Sequence, residues 1–303
     1  MKTLLTVLML IVFCAGPAHA ADVRVKVVAS IYPLSDITKQ IGKEKVIVKT
    51  LLPPAASPHT FDPTPRQMME LRDAKLFIKV GAGLEFWAER IVNAVSNKDL
   101  VVVDLSKGMP LIQGVHEHGH EHVFGHKDKQ AGVVADPHFW LDPVLAKKIA
   151  DRIADALAQA DRANEKFYRV NAKKYKQELD DLDREIKRKV SGFRTKEYVT
   201  FHAAWGYFSR RYGLRVIGVI EEAPGREPSP GRIAQLVREL KRLHARVVFA
   251  EPQFNPGIAE AIAKEAGAKV LLLDPMGAQN DRDKDTYIKI MRYNLSQMER
   301  AMQ

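Results

Sequence analysis

Short β-branched runs alternate with longer helical patterns twice over in this chain, on either side of a stretch, Asp161 to Ser191, that contains neither Gly nor Pro. The first set of runs is Val23 to Ala29, Val46 to Leu52, Lys75 to Val80 and Leu100 to Asp104. The second is Tyr198 to Phe201, Leu214 to Ile220, Arg246 to Glu251 and Lys269 to Leu273. Helical patterns fall between them at Ser35 to Ile41, Thr64 to Arg72, Leu84 to Val95, Ser229 to His244 behind "EPSP", and Gly257 to Ala266 closed by Gly267. Parallel strands need long crossovers, and helices supply them, so this alternation predicts α/β lobes with parallel sheets. Two lobes are expected, each a four-stranded parallel sheet flanked by helices.

The central stretch carries Phe167, Val170, Tyr175, Leu179, Leu182, Ile186 and Val190, mostly at three- and four-residue steps. As one helix it would be a rod of roughly 45 Å joining the lobes and restricting their motion. As a hairpin it would break near Asn171 or Lys173. The expected organisation is a signal peptide at 1–20, an N-terminal lobe at 21–160, a linking helix at 161–191 and a C-terminal lobe at 192–303.

Lys2, an apolar core from Leu4 to Ala15 and the small-x-small Ala18-His19-Ala20 follow the order of an export signal cleaved near Ala20. Periplasmic placement is therefore expected. Cys14, the only cysteine, lies inside that signal, and the bulky Phe13 before it argues against lipid attachment there. A mature chain without thiol has neither disulfide nor thiolate metal site, so any zinc would be held by nitrogen and oxygen. The formal charge of +10 is spread over alternating helical faces such as "RELKRLHAR" with no aromatic residues between, which argues against nucleic acid as a partner.

Histidine is where chemistry concentrates. His116, His118, His120, His122 and His126 fall within "HEHGHEHVFGH", inside a polar loop spanning about 114–130. Such a run is too polar and glycine-containing for a core and reads as an exposed, low-affinity metal-collecting loop. Three further histidines stand alone: His59 in "SPHTFDP", His138 in "DPHFWLDP" and His202 in "TFHAAWGYF". With Asp274 in "LLLDPMG" they follow the carboxyl ends of predicted strands, where open α/β sheets collect ligands. Three imidazoles and one carboxylate suit Zn(2+). Asp62, Asp136 and Asp142 read as turn formers that could also orient imidazoles, and Trp140 and Trp205 as residues that exclude water or simply fill a core.

"SPHTFDPTPRQ", "DPHFWLDP", "FHAAWGYF", "EPSP", "VFAEPQF" and "VLLLDPMG" occur in the order of the metal-binding receptors of bacterial ABC importers, the cluster A-I solute-binding proteins. The chain resembles their zinc-uptake branch most, with the histidine loop between the first two ligand motifs. The resemblance runs from about Val27 to the C-terminus. It implies two α/β lobes bridged by a backbone helix, with metal in the interlobe cleft held by His59, His138 and His202 and, as the usual fourth position, Asp274, whose carboxylate water replaces in some zinc receptors of the family. It implies Zn(2+) as transported ligand, a monomer, and an ABC-type metal permease in the inner membrane as partner. Manganese receptors of the family commonly place Glu where His202 stands, and a third imidazole shifts preference toward zinc.

A manganese or iron receptor of the same family is one alternative reading. Another is a zinc-dependent hydrolase, which would need a general base beside the metal, with Glu221, Glu222 and Glu251 as candidates by strand-end position. Adhesion is known among family relatives as a second role. His116-Glu117-His118-Gly119-His120 fits H-E-x-x-H formally, but that chemistry needs a helix that Gly119 and the polar repeat oppose. Gly81-Ala82-Gly83 lacks the third glycine of a dinucleotide fingerprint, Phe86 standing in its place.

Overall fold

The structure, a computed structural model, describes residues 24–114, 134–221, 225–243 and 245–303. In the first half, β1 (Val25–Ala29), α1 (Tyr32–Gly42), β2 (Val46–Thr50), α2 (Pro65–Arg72), β3 (Leu76–Lys79), α3 (Ala88–Val95) and β4 (Val101–Asp104) follow in order. β5 (Gln113–Gly114) and β6 (Val134–Ala135) form a short antiparallel ladder. Then come α4 (Pro143–Ala160) and α5 (Glu165–Ser191). The second half holds β7 (Glu197–Thr200), α6 (Gly206–Tyr212), β8 (Arg215–Val219), α7 (Pro230–Arg242), β9 (Val247–Ala250), α8 (Pro256–Ala266), β10 (Lys269–Leu272) and α9 (Tyr287–Met302). Among the described residues no helix is long and apolar enough to cross a membrane.

The strands make two four-stranded sheets, ordered β2-β1-β3-β4 and β10-β9-β7-β8, with every pairing parallel. Read from its own first strand, each sheet has the same order, so the lobes are two copies of one topology. All eight expected strands form, each within two or three residues of its predicted ends. Four helices open on the same local device, a capping side chain followed by Pro at the first helical position: Thr64-Pro65, Asp142-Pro143, Ser229-Pro230 and Asn255-Pro256. The cap oxygen satisfies an orphan backbone N–H, and Pro has none to leave unmade.

α5 is a single unbroken helix of 27 residues, about 40 Å long, which settles the choice against a hairpin within it. A short 3-10 turn, Arg162–Asn164, separates it from α4, against which it packs. Its buried stripe is Tyr168, Ala172, Tyr175, Leu179, Leu182, Ile186 and Val190. The expected Phe167 and Val170 lie off that stripe, Val170 at 43% exposure, because steps of three and four back from Tyr175 land on Ala172 and Tyr168.

The largest buried cluster does not stop at the lobe boundary. It runs from Val27 and Ile78 of the first sheet through α4 and α5 to Phe249 and to Met291 and Met298 of α9. A segment after β10 straps the lobes together. Trp140 Nε1 donates to Pro275 O (3.0 Å), Tyr287 Oη to Trp140 O (2.6 Å), and Tyr287 N to the Asp36 carboxylate of α1 (2.8 Å). Asp36 thereby holds the N-terminus of a helix from the opposite lobe.

Candidate metal site

In the second sheet the strand order reverses between β7 and β9, and a crevice opens at their carboxyl ends. His202 lies just past β7 and Glu251 directly after β9, so neighbouring strands deliver the imidazole and the carboxylate side by side. His202 Nδ1 donates to Glu251 at 2.8 Å, and the carboxylate is 1% exposed. From the first half come His59, on the irregular segment between β2 and α2, and His138, at the start of a 3-10 turn, Phe139–Leu141, that leads into α4.

One nitrogen from each of His59, His138 and His202 lies within 4.8 Å of the others. The Nε2 atoms of His59 and His138 face each other at 3.1 Å. Two ligands bound to zinc at about 2.0–2.1 Å with a tetrahedral angle stand about 3.3 Å apart, so this pair already has the separation an ion requires. The rings meet at centroid distances of 5.2, 5.8 and 5.2 Å and steep mutual angles, converging edge-on instead of stacking. Ser57, Pro58, Trp140, Gln253, Phe254, Pro275 and Met276 complete a cleft with about 10 Å³ of free space, room for one water-sized occupant.

Each inner imidazole is oriented from behind. His138 Nδ1 donates to Asp136 Oδ1 at 2.8 Å, and the same oxygen accepts from His138 N at 2.9 Å. Asp136 is fixed in turn by α6: Tyr207 Oη donates to its carbonyl at 2.8 Å, and a Cβ on Gly206 would stand 2.8 Å from its Oδ2. With Nδ1 protonated toward a carboxylate, His138 and His202 both present the Nε2 lone pair to the cleft. Among the three expected aspartates only Asp136 orients an imidazole. Asp62 pairs with Arg90 at the surface, and Asp142 caps α4. Trp140 lines the cleft, its ring 5.2 Å from that of His138, whereas Trp205 is buried against Phe208.

Burial and the two carboxylates act on the three imidazoles in opposite directions. Burial, reinforced by His138 and His202, pushes the His59 imidazolium down to about 2. Burial also lowers His138, against the pull of Asp136. For His202 burial acts downward, but Glu251 outweighs it and the net direction is up.

Asp274 is not brought into the group. Its Oδ1 accepts from Met276 N and Gly277 N, both at 2.9 Å, and its Oδ2 from Lys284 Nζ at 2.7 Å. His116, His118, His120, His122 and His126 lie outside the described residues, as do Glu222 and His244. Glu251 was visible in the sequence as a strand-end acid, but its bond to His202 depends on which strands are neighbours. Lys284 left no sequence signal of its role, since its partner is ten residues away across an irregular turn.

The chain matches the family described as "Zinc-uptake complex component A periplasmic" over residues 27–301. It is similar to the high-affinity zinc uptake system protein ZnuA of Bacillus subtilis, at 31% identity over 95% of this chain and 90% of that protein. A crystal structure of ZnuA superposes with a TM-score of 0.81 at 32% identity, covering 92% of this chain and all of that one (100%). The laminin binding protein Lmb of Streptococcus agalactiae, described as a bifunctional protein with adhesin and metal transporting activity, gives 0.78 at 31% identity over 92% and 100%.

Proposed function

This chain belongs to the family of periplasmic zinc-uptake components, and from that membership we propose that it captures Zn(2+) between its two lobes and delivers it to an ABC permease. The observation that carries the reading is the convergence of three imidazole nitrogens, two oriented by carboxylates, on one small cleft. In this reading His59, His138 and His202 are the protein ligands. Neutral imidazole is a borderline donor that zinc accepts readily, and the oriented Nε2 lone pairs cost little reorganisation when the ion arrives.

The protein acts as a receptor and not as an enzyme. A hydrolytic zinc site needs a base poised over a metal-bound water. Of the candidate bases among the described residues, Glu251 is engaged with His202, and Glu221 accepts from Gly225 N at 2.6 Å. The chain works as a monomer in the periplasm after loss of residues 1–20, with the permease in the inner membrane. The histidine-rich stretch collects additional zinc weakly.

Zinc titration of the mature chain against a competing chelator tests this, with His59→Ala, His138→Ala and His202→Ala alongside. One tight site that each substitution weakens by about a hundredfold or more is expected, since each removes a direct ligand and not a group behind one. Tight binding that survives His202→Ala would end the assignment.

A further inference from the structure

The ion pair of Lys284 with Asp274 stands at the edge of the cleft and has no part in the function proposed above. Asp274 comes two residues after β10, and the next two residues, Pro275 and Met276, line the cleft with the three histidines. A carboxylate in that place is well situated to reach an ion. Its atoms are already engaged. Two turn amides hold Oδ1, Lys284 Nζ holds Oδ2, and Asn294 brackets the backbone by accepting from Asp274 N and donating to Asp274 O, both at 2.7 Å.

Lys284 is itself held in place. Its ammonium lies 3.1 Å from Asp281 and 4.9 Å from the centre of the Tyr293 ring. The turn is closed over it: Gly277 has φ +64°, and a Cβ there would stand 2.6 Å from Lys284 O and 2.4 Å from Ile290 Cδ1. Both side chains of the pair are largely buried, at 7% and 14% exposure. Turning Asp274 toward the ion would leave the ammonium, with poor access to water, to the partly exposed Asp281 carboxylate alone, a costlier arrangement.

Resting on the three-histidine reading of the site, we propose that Lys284 is a selectivity-determining residue. It retains the Asp274 carboxylate, withholds a hard oxygen donor from the ion and leaves three imidazole nitrogens as the only ligands among the described residues. Manganese, which favours oxygen, loses more from this than zinc does. Lys284 acts through Asp274 and does not touch the ion.

The test uses the mature full-length chain and the variants Lys284→Met, Asp274→Asn and the double variant. Zinc and manganese affinities come from chelator competition, and cobalt(II) absorption in the visible reports the ligand shell. Asp274→Asn is expected to change zinc affinity by about twofold or less, the scale of residual coupling between groups that do not act on one another, and to leave the cobalt spectrum as in the wild type. Lys284→Met is expected to raise manganese affinity by about tenfold or more and to shift the cobalt bands, and the double variant to reverse both changes. A larger loss of zinc affinity in Asp274→Asn overturns the inference, as does a Lys284→Met chain with unchanged manganese affinity and cobalt bands. Should Lys284→Met fail to fold by circular dichroism, the Asp274→Asn affinity and spectrum decide alone. A wild-type chain that binds no zinc removes the proposed function and this inference together; zinc binding that depends on Asp274 removes this inference only.

Discussion

Replacing Glu251 by Gln or Ala separates what orients His202 from what holds the protein together. The carboxylate is buried and accepts from His202 Nδ1 at 2.8 Å. A hydrogen bond to a charged partner contributes about 1.5–3 kcal/mol and a neutral one about 1 kcal/mol. Glu251→Gln keeps the shape and an acceptor oxygen but loses the charge, so it should cost the ion about 1–1.5 kcal/mol, roughly tenfold in affinity. Glu251→Ala removes the acceptor altogether and should reach the upper end of the 10- to 100-fold range seen when such outer partners are lost. Stability of the zinc-free protein should move differently. Gln relieves a buried charge, so its thermal midpoint should equal or exceed that of the wild type, whereas Ala leaves a cavity and an unpaired imidazole N–H. Zinc competition and thermal unfolding on the same samples give both quantities. If Glu251→Gln unfolds earlier yet binds zinc as tightly as the wild type, the carboxylate is a structural support only and the orienting role is refuted.

Three further outcomes are expected, two from the fold and one from the sequence. Leu182→Ala, at a fully buried position on α5, should cost about 2–5 kcal/mol, and urea unfolding followed by probes in either lobe should shift as one transition because the core is shared. Arg211 donates to Asp183 through Nε and a terminal nitrogen, both at 2.6 Å, with Tyr212 Oη at 2.9 Å. Burial acts to raise the Asp183 carboxyl, but these bonds outweigh it and hold it below the usual value, whereas burial leaves Asp142, 3.4 Å from Arg211, raised. Stabilisation by the Asp183 pair is thus present above about pH 4, where the unfolded carboxyl ionises, and is lost as pH falls through the lower folded value. Arg211→Met should therefore cost stability at pH 7 and progressively less in urea melts toward pH 2, and a constant difference would contradict the pairing. Deleting Gly114 to Gly125 should lower zinc stoichiometry while sparing the tight site, and an unchanged count on calorimetric titration would dismiss the collecting role.

The parts of this protein that were legible in its sequence are those whose causes are local. β-branched runs, capping residues and the stripe from Tyr175 to Val190 each act within a few residues, and the eight strands and the long helix follow from them. α4 was not foreseen: with Ile149, Ile153, Leu157 and five alanines buried, it is covered on more than one face and shows no narrow apolar stripe. α6 is too short at seven residues to show a period. α9 does carry a readable stripe, Tyr287, Ile290, Met291, Leu295 and Met298, behind a Thr286 cap, and could have been expected. In the site, strand-end placement singled out His59, His138 and His202 as candidates, but the partners of their far nitrogens were hidden. Asp136 looked like one turn former among three, and Glu251 joins His202 only because β7 and β9 are neighbours. The fate of Asp274 was decided by Lys284, through a turn whose shape no short motif encodes.

The strap that binds α1, Trp140 and the N-terminus of α9 sets how the cleft can exchange its contents. Parting the halves like a pair of jaws would break the bonds of Trp140 to Pro275, Tyr287 to Trp140 and Tyr287 to Asp36, all away from solvent. With each bond exchanged for one to water at a net loss of about 0.5–1.5 kcal/mol, that movement costs roughly 2–5 kcal/mol for the three bonds before any apolar surface is counted. Shifting the irregular segment that carries His59, the most solvent-facing of the three imidazoles, leaves these bonds intact and breaks instead the bond of Trp87 Nε1 to Pro58 O (3.3 Å) and the edge contact of Phe61 with Trp87. Exchange of the ion is therefore expected to cost less by movement of that segment than by separation of the lobes.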